Sequence, residues 1–226
     1  NGSWALYEDG PGDMSATVKA YFALKLMGHS IDDIHMVSAR KWVLQNGGAE
    51  TVNVFTRITL ALFGQLSWKT VPAMPVEMMF LPKWWFFHLS RVSYWSRCVI
   101  VPLLVIFAKR PVYETLVEQS ISELFMQSPS SLTTLDKINW RQPVSAGFVI
   151  LDRGLKFVNN LIPRFIRERA LVKAERWTRD HCAGDGGIGG IFPAMVNAVI
   201  ALKLRRAEDD DPDLVRTIDA IDALVI

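Results

Sequence analysis

Apolar residues run in helix-length blocks along this chain, and three stretches repeat one unit: a helix, a glycine-rich turn and a second apolar helix. The first copy lacks its leading helix and runs from Asn1-Gly2-Ser3-Trp4 into Ser15–Gly28. The second pairs Ala39–Gly48 with Val54–Gly64. The third joins Ala174–Trp177, through the glycine-rich Gly184–Gly190, to Ile191–Lys203. Ala-Leu-Lys-Leu recurs at 23–26 and 201–204. A helix-turn-helix unit that cannot bury its apolar face alone stacks on copies of itself, which predicts a helical repeat or ring architecture.

Residues 15–27 read as a helix capped by Ser15. Lys19 and Lys25 are its only charges, so most of its faces are apolar and the helix is expected to be buried. The helix after Asn53 has the same character, with Arg57 as its one charge. Pro72, Pro75 and Pro82 forbid a continuous helix through 69–91. Helix resumes from Ser93 to Lys109, with a kink expected at Pro102. Residues 110–147 are rich in Ser, Gln, Thr and Pro and read as a short helix plus a surface loop. A long amphipathic helix is then expected from Phe148, with Leu151, Leu155, Val158, Ile162 and Phe165 or Ile166 at helical spacing. Arg153, Lys156, Arg164, Arg167, Arg169 and Lys173 form a basic population beside them. No stretch alternates with period two, so the chain reads as all-α.

Composition narrows the class. Half of the 226 residues are hydrophobic, with eight Trp and twelve Phe, and no linker-like stretch divides the chain. The net charge of +2 is too small for a nucleic-acid partner. Cys98 and Cys182 give no disulfide framework, which favours a reducing compartment and leaves the Asn1-Gly2-Ser3 sequon without use. No signal peptide is visible, and the apolar run Val99–Ala108 is too short to span a bilayer. Contact with a membrane surface stays open. The chain begins on a turn, as expected of a piece of a longer protein.

The turns and their flanking helices resemble the QW repeats of the squalene–hopene cyclase family of triterpene cyclases. Trp4 fits the aromatic position after Gly2-Ser3, and Gln45 with Gly47-Gly48 is a partial copy. A degraded copy has Cys182 near the Gln position and Ile188 at the Trp position. The resemblance extends over Trp4–Gly28, Asn53–Lys83, Ser93–Arg97 and Gly186–Lys203. Gly10-Pro-Gly-Asp-Met-Ser-Ala-Thr17 is closer to the bacterial squalene cyclases than to the eukaryotic oxidosqualene cyclases. It implies that residues 1–226 form most of the N-terminal, inserted α/α barrel, an incomplete toroid that leaves an apolar edge exposed. The family acid sits in an Asp-x-Asp-Asp motif of the other barrel, and no such motif occurs here. No catalytic residue, metal or cofactor is therefore expected in this chain, and the isolated chain is expected to be inactive.

The implied activity is cation-driven cyclisation of squalene to hopene or hopanol in a dry aromatic cavity, where ring faces stabilise carbocations and exclusion of water prevents early quenching. By resemblance Trp95 matches a cavity tryptophan, and Ile191 and Pro193 match the segment lining the far end. Phe192 stands where some members have Gln, and Asn197 where they have Tyr. Ile100 and Val92 match positions near the substrate entrance. On its own residues Trp95 reads first as core packing, since aromatics at helical spacing are usually core, and the resemblance turns that reading to cavity lining. The basic amphipathic helix after Phe148 matches a membrane-contacting plateau, which implies a peripheral protein on the cytoplasmic side of a bacterial inner membrane. Reversing the charges of Arg164 and Arg167 is then expected to weaken liposome binding. The resemblance also admits a homodimer. A lipid-binding barrel without activity, and a related cyclase acting on another isoprenoid, are the alternatives.

Three other signals carry less. Asp209-Asp-Asp-Pro-Asp213 has the spacing of a magnesium–diphosphate motif, but Pro212 interrupts it and acids before a helix are favoured by the dipole. Gly184-x-Gly186-x-x-Gly189 matches a dinucleotide fingerprint by letter only, since it follows a helix. His181-Cys182 with Asp185 lacks a second ligand pair, and His29, His35 and His88 read as scattered singly.

Overall fold

Asp13 starts the first helix, α1 (Met14–Leu26), ahead of the expected Ser15. Its Oδ1 accepts from the Ala16 amide at 2.7 Å, and a carboxylate is a strong acceptor at the positive end of a helix. Ser15 is buried in the first turn instead, where its hydroxyl oxygen accepts from the Asn53 amide at 2.9 Å. The structure, a computed structural model, describes residues 2–85, 88–132, 143–159, 161–182, 184 and 186–224. The helices that follow are α2 (Ile34–Gln45), α3 (Val54–Leu62), α4 (Tyr94–Lys109), α5 (Pro143–Asn159), α6 (Arg164–His181), α7 (Phe192–Leu204) and α8 (Pro212–Asp222). Short 3-10 turns connect them. Among the described residues there is no strand beyond a single bridge between Ala5 and Gly12, so the all-α reading holds. No helix there is long and apolar enough to cross a membrane.

The repeat is visible locally. In both complete copies the turn between helices places a glycine at φ and ψ values open almost only to glycine. Gly48 lies at 75°, 174° and Gly187 at 66°, 177°, each leading into a 3-10 turn and then the second helix.

The chain divides into two compact units, each made of two separate segments. The first comprises Asn1–Pro72 and Pro111–Val149, the second Ala73–Arg110 and Ile150–Ile226.

In the first unit Val18, Tyr21 and Phe22 of α1 pack with Met36, Ala39 and Val43 of α2, Leu60 of α3, and Ile121 and Leu124. The expected surface loop after residue 110 is largely exposed, as at Leu116, Val117 and Met126, but Ile121 and Leu124 correct it locally, since both are fully buried. The segment shows no helical periodicity because its backbone is satisfied by short 3-10 turns and by polar side chains from elsewhere in the unit. Gln65 accepts from the Ile121 amide at 2.9 Å. Glu50 accepts from the amides of Met126 and Gln127 at 2.8 and 3.0 Å. Lys25 donates to the Ser120 carbonyl and, at 2.8 Å, to Glu123 Oε1. Residues 133–142 of the same expected loop lie outside the described residues.

In the second unit α4 is the central element, with Val101, Leu104 and Val105 packed against Leu171 and Ala174 of α6 and Ala201 of α7. The long helix expected from Phe148 is two helices. Pro163 ends the run, because its ring excludes helical geometry at the preceding residue and it has no amide to donate. It then stands as the N-cap residue of α6. The first of the two begins earlier than expected, at Pro143.

Candidate functional site

Three alanines on one side of α7 let it lie close to α4. Ala194, Ala198 and Ala201 are all buried, and Gly189, just before α7, lies so near Cys98 that a Cβ there would fall 2.8 Å from the Cys98 Cβ. Cys98 clusters with Ala194 and Ala198, while Val101, Leu104 and Val105 cluster with Ala201. The two helices therefore run in the same sense, and their N-terminal ends share one end of the unit.

That end is aromatic and open. Trp95 is 60 % exposed, Phe192 56 % and Tyr94 52 %, and Pro193 is exposed beside them in sequence. The Tyr94 ring lies 5.8 Å from that of His181, which stacks on Trp177 at 3.8 Å and 17°. His181 Nδ1 donates to the Trp177 carbonyl at 2.7 Å, so this imidazole is held as part of an aromatic stack. The Arg97 guanidinium sits 5.9 Å from the Tyr94 ring centroid. Burial pushes the Cys98 and Cys182 thiols up, so both stay protonated, unpaired and unreactive in the core.

Of the residues singled out in the sequence, Trp95, Phe192 and Pro193 gather at this end. Ile191 is half-buried against the Cys98 cluster, and Asn197 donates through Nδ2 to the Val99 carbonyl at 3.4 Å. Ile100 is not with them, since it packs against the Val101–Leu104 cluster. Val92 closes the 3-10 turn Leu89–Arg91 just ahead of α4, its amide donating to the Leu89 carbonyl at 3.1 Å. Tyr94, Trp177 and His181 were not anticipated. The adjacent aromatic pair Tyr94-Trp95 at a helix start was the available signal.

The same unit carries a second group of exposed apolar side chains. Ile150, Leu151 and Phe157 of α5, Leu161 in the turn and Phe165 of α6 are all exposed, as are Phe80, Trp84 and Trp85. Ile150, Gly154 and Phe157 fall at i, i+4 and i+7 of α5, one stripe at helical spacing, and Leu161 follows in the turn. Not all of the expected basic population is free for a surface. Arg167 donates to Glu77 Oε1 at 3.0 Å and to Asn159 Oδ1 at 2.8 Å, which makes it a brace between α6, the Val76–Phe80 turn and the end of α5. Lys156 pairs with Asp152 at 2.7 Å, and Lys173 donates to the Met79 carbonyl at 2.7 Å. Arg169 stacks over Phe165, 5.9 Å from its centroid. Charge reversal at Arg167 would therefore disturb packing, and it is unsuited to testing surface contact.

The acidic run is a helix start, as read. Asp211 caps α8 by accepting from the Asp213 and Leu214 amides at 3.0 and 3.3 Å. Arg179 Nη1 lies 3.0 and 2.8 Å from its two carboxylate oxygens. Burial alone would raise the Asp211 carboxyl, but Arg179 and these amides outweigh it and hold it below the usual carboxylate range. Asp185 lies outside the described residues. His29 and His35 are not scattered, because the α1–α2 turn folds their rings to a centroid distance of 5.0 Å.

Comparison with known proteins agrees with this architecture. A family model described as the squalene-hopene cyclase N-terminal domain matches residues 1–226. The chain is 40 % identical over 230 residues to a probable squalene–hopene cyclase of Sinorhizobium fredii, covering 100 % of this chain and 35 % of the relative. It is 40 % identical over 229 residues to a squalene–hopene cyclase of Bradyrhizobium diazoefficiens, covering 100 % and 34 %. Against the squalene–hopene cyclase of Alicyclobacillus acidocaldarius the identity is 35 % over 208 residues, covering 90 % and 32 %. The chain thus spans about a third of the length of the curated relatives it matches.

Proposed function

The chain belongs to the squalene–hopene cyclase family, and from that premise we propose that it forms the N-terminal part of an enzyme that cyclises squalene to hopene or hopanol. In this reading the chain shapes an apolar cavity and the substrate route, while the acid that protonates the terminal alkene comes from outside residues 1–226. The observation that carries it is the open aromatic end of the α4–α7 pair, where Trp95 and Phe192 are each more than half exposed. Large rings left open by their own unit suit a cavity wall better than a core, and their faces stabilise a passing cation by about 0.5 to 2 kcal/mol each. Trp95→Ala in the full-length protein should lower squalene turnover by about threefold to thirtyfold and release earlier-quenched products. Turnover and products identical to wild type would reject Trp95 as a wall residue. Product analysis with squalene also separates this reading from a related cyclase with another isoprenoid substrate, or from a lipid-binding relic that turns nothing over.

The same reading includes reversible contact with a membrane, on the cytoplasmic side of a bacterial inner membrane, since squalene partitions into lipid. The support is the number of exposed apolar side chains in the second unit, Phe157, Leu161, Phe165, Phe80, Trp84 and Trp85, with Arg169 over the Phe165 ring and Lys173 over the Phe80 ring. Replacing Phe157 and Phe165 together by Ser should reduce cosedimentation of the full-length protein with anionic liposomes by about tenfold or more. Both side chains are exposed, so folding should be unaffected, and undiminished cosedimentation would remove Phe157 and Phe165 from the membrane contact.

A further inference from the structure

The turn between α1 and α2 brings together three side chains that are separated in the sequence. α1 closes by a Schellman turn, in which the Gly28 amide donates to the Lys25 carbonyl at 3.0 Å and the His29 amide to the Leu24 carbonyl at 3.1 Å. Gly28 takes φ 89° there, a conformation that glycine adopts without strain. This fixes the backbone from which the His29 ring leaves.

Asp33 is the N-cap residue of α2, but its side chain makes no capping bond to the helix. Its carboxylate is turned back into the loop, where Oδ2 accepts from the Ser30 amide at 3.0 Å and lies 3.6 Å from His29 Nδ1. His35, the second residue of α2, sets its ring edge-on to that of His29 at 85°. One donor atom from each of His29, Asp33 and His35 lies within 4.8 Å of the other two, and both histidines are exposed.

We propose that His29, Asp33 and His35 form a binding site for a divalent transition-metal ion of the zinc, nickel or copper class. Two imidazoles and one carboxylate are a borderline donor set that suits these ions, whereas magnesium and calcium require oxygen ligands. A tetrahedral zinc with bonds near about 2.1 Å holds its ligand atoms roughly 3.4 Å apart. The His29–Asp33 pair is already close to that spacing. Rotation about the exposed His35 side chain closes the rest, with no backbone movement between Schellman turn and helix start. A fourth position faces solvent and takes water. The two thiols do not compete, being fully buried. The ion would clip the C-terminal end of α1 to the N-terminal end of α2. This inference is independent of the cyclase reading.

The experiment is calorimetric titration of zinc chloride into the full-length protein, wild type against His29→Gln, His35→Gln and the double variant. One zinc per chain is expected at micromolar affinity. Each single substitution should weaken it by about tenfold or more, since even outer-shell changes at metal sites cost that much. Zinc should also raise the melting temperature of the wild type and leave that of the double variant unchanged. Because both rings are exposed, the variants should keep the wild-type circular dichroism. Zinc binding of equal affinity in wild type and double variant would place the ion elsewhere and overturn the proposal. So would the absence of stoichiometric binding below a millimolar in the wild type.

Discussion

Gly189→Ala should destabilise the protein by about 2 to 4 kcal/mol, whereas Gly190→Ala, one residue later, should cost only about 1 kcal/mol. The two glycines share a left-handed backbone, at φ 68° and 63°. An alanine at either site therefore bears the same conformational cost, about 1 kcal/mol or slightly more. They differ in what surrounds them. A Cβ on Gly190 meets nothing within 4 Å, but one on Gly189 falls 2.8 Å from Cys98 Cβ and 3.2 Å from its Sγ. Cys98 is fully buried within α4 and cannot retreat without moving the helix, so an overpacking cost of about 1 to 3 kcal/mol is added. Denaturation midpoints of the two variants measure the difference directly. Equal losses would mean that the close approach of the turn to α4 contributes nothing. In the full-length protein Gly189→Ala should also displace the start of α7, and with it Phe192, relative to Trp95.

Lys25→Met should cost a similar amount, about 2 to 4 kcal/mol. Lys25 lies almost wholly inside the first unit, yet its ammonium is satisfied by the Ser120 carbonyl and Glu123. Tyr21, fully buried, donates its hydroxyl to the same Glu123 oxygen at 2.9 Å. Burial, followed by the neighbouring Glu123, pushes the Tyr21 hydroxyl far up, so it remains a donor well into alkaline solution. Removing the ammonium leaves a carboxylate with a single donor and a carbonyl with none. Breaking a buried pair from one side costs about 3 to 5 kcal/mol, and the figure is discounted here because Glu123 keeps a quarter of its side chain in water. The companion Lys25→Met/Glu123→Gln should recover more than half of the loss. A Gln amide accepts from Tyr21 and can itself donate to Ser120, without a charge to strand. Equilibrium unfolding of the single and double variants decides it. A single variant within about 0.5 kcal/mol of wild type would show that the network is dispensable.

These two clusters mark the limit of what the sequence could reveal. Helix positions were legible wherever apolar periodicity met a clear stop, as in Asn53 before α3 or the prolines that keep 69–91 out of a long helix. Pro163 gave the same kind of signal, but the apolar spacing on both sides of it suggested continuity and hid the break. Lys25 was read as one of two charges on an apolar helix, and only its distant partners Ser120 and Glu123 explain how it is buried. The same contact explains how Ile121 and Leu124 reach the core from an otherwise exposed segment: the backbone beside them is anchored by side chains fifty or more positions away. At the candidate site, Trp95 and Phe192 were named from family resemblance, and their exposure at one end of a helix pair depends on the direction of α7 relative to α4. Periodicity does not encode that direction. Nor could spacing show that His29, Asp33 and His35 converge, because the Schellman turn that folds them together is set by one glycine.

The interleaving of the two units constrains how the chain is made as well as how it stands. A ribosome adds roughly 5 to 20 residues per second, and domains generally fold as they emerge. Here the segment carrying α4 emerges before the first unit has received its second half. α4 then waits several seconds for α6 and α7, the helices that cover Val101, Leu104 and Val105. Through that interval α4, a long helix with eight buried residues, is without its partners, which makes it the natural target for a ribosome-associated chaperone and a nucleus of aggregation when synthesis outruns its protection.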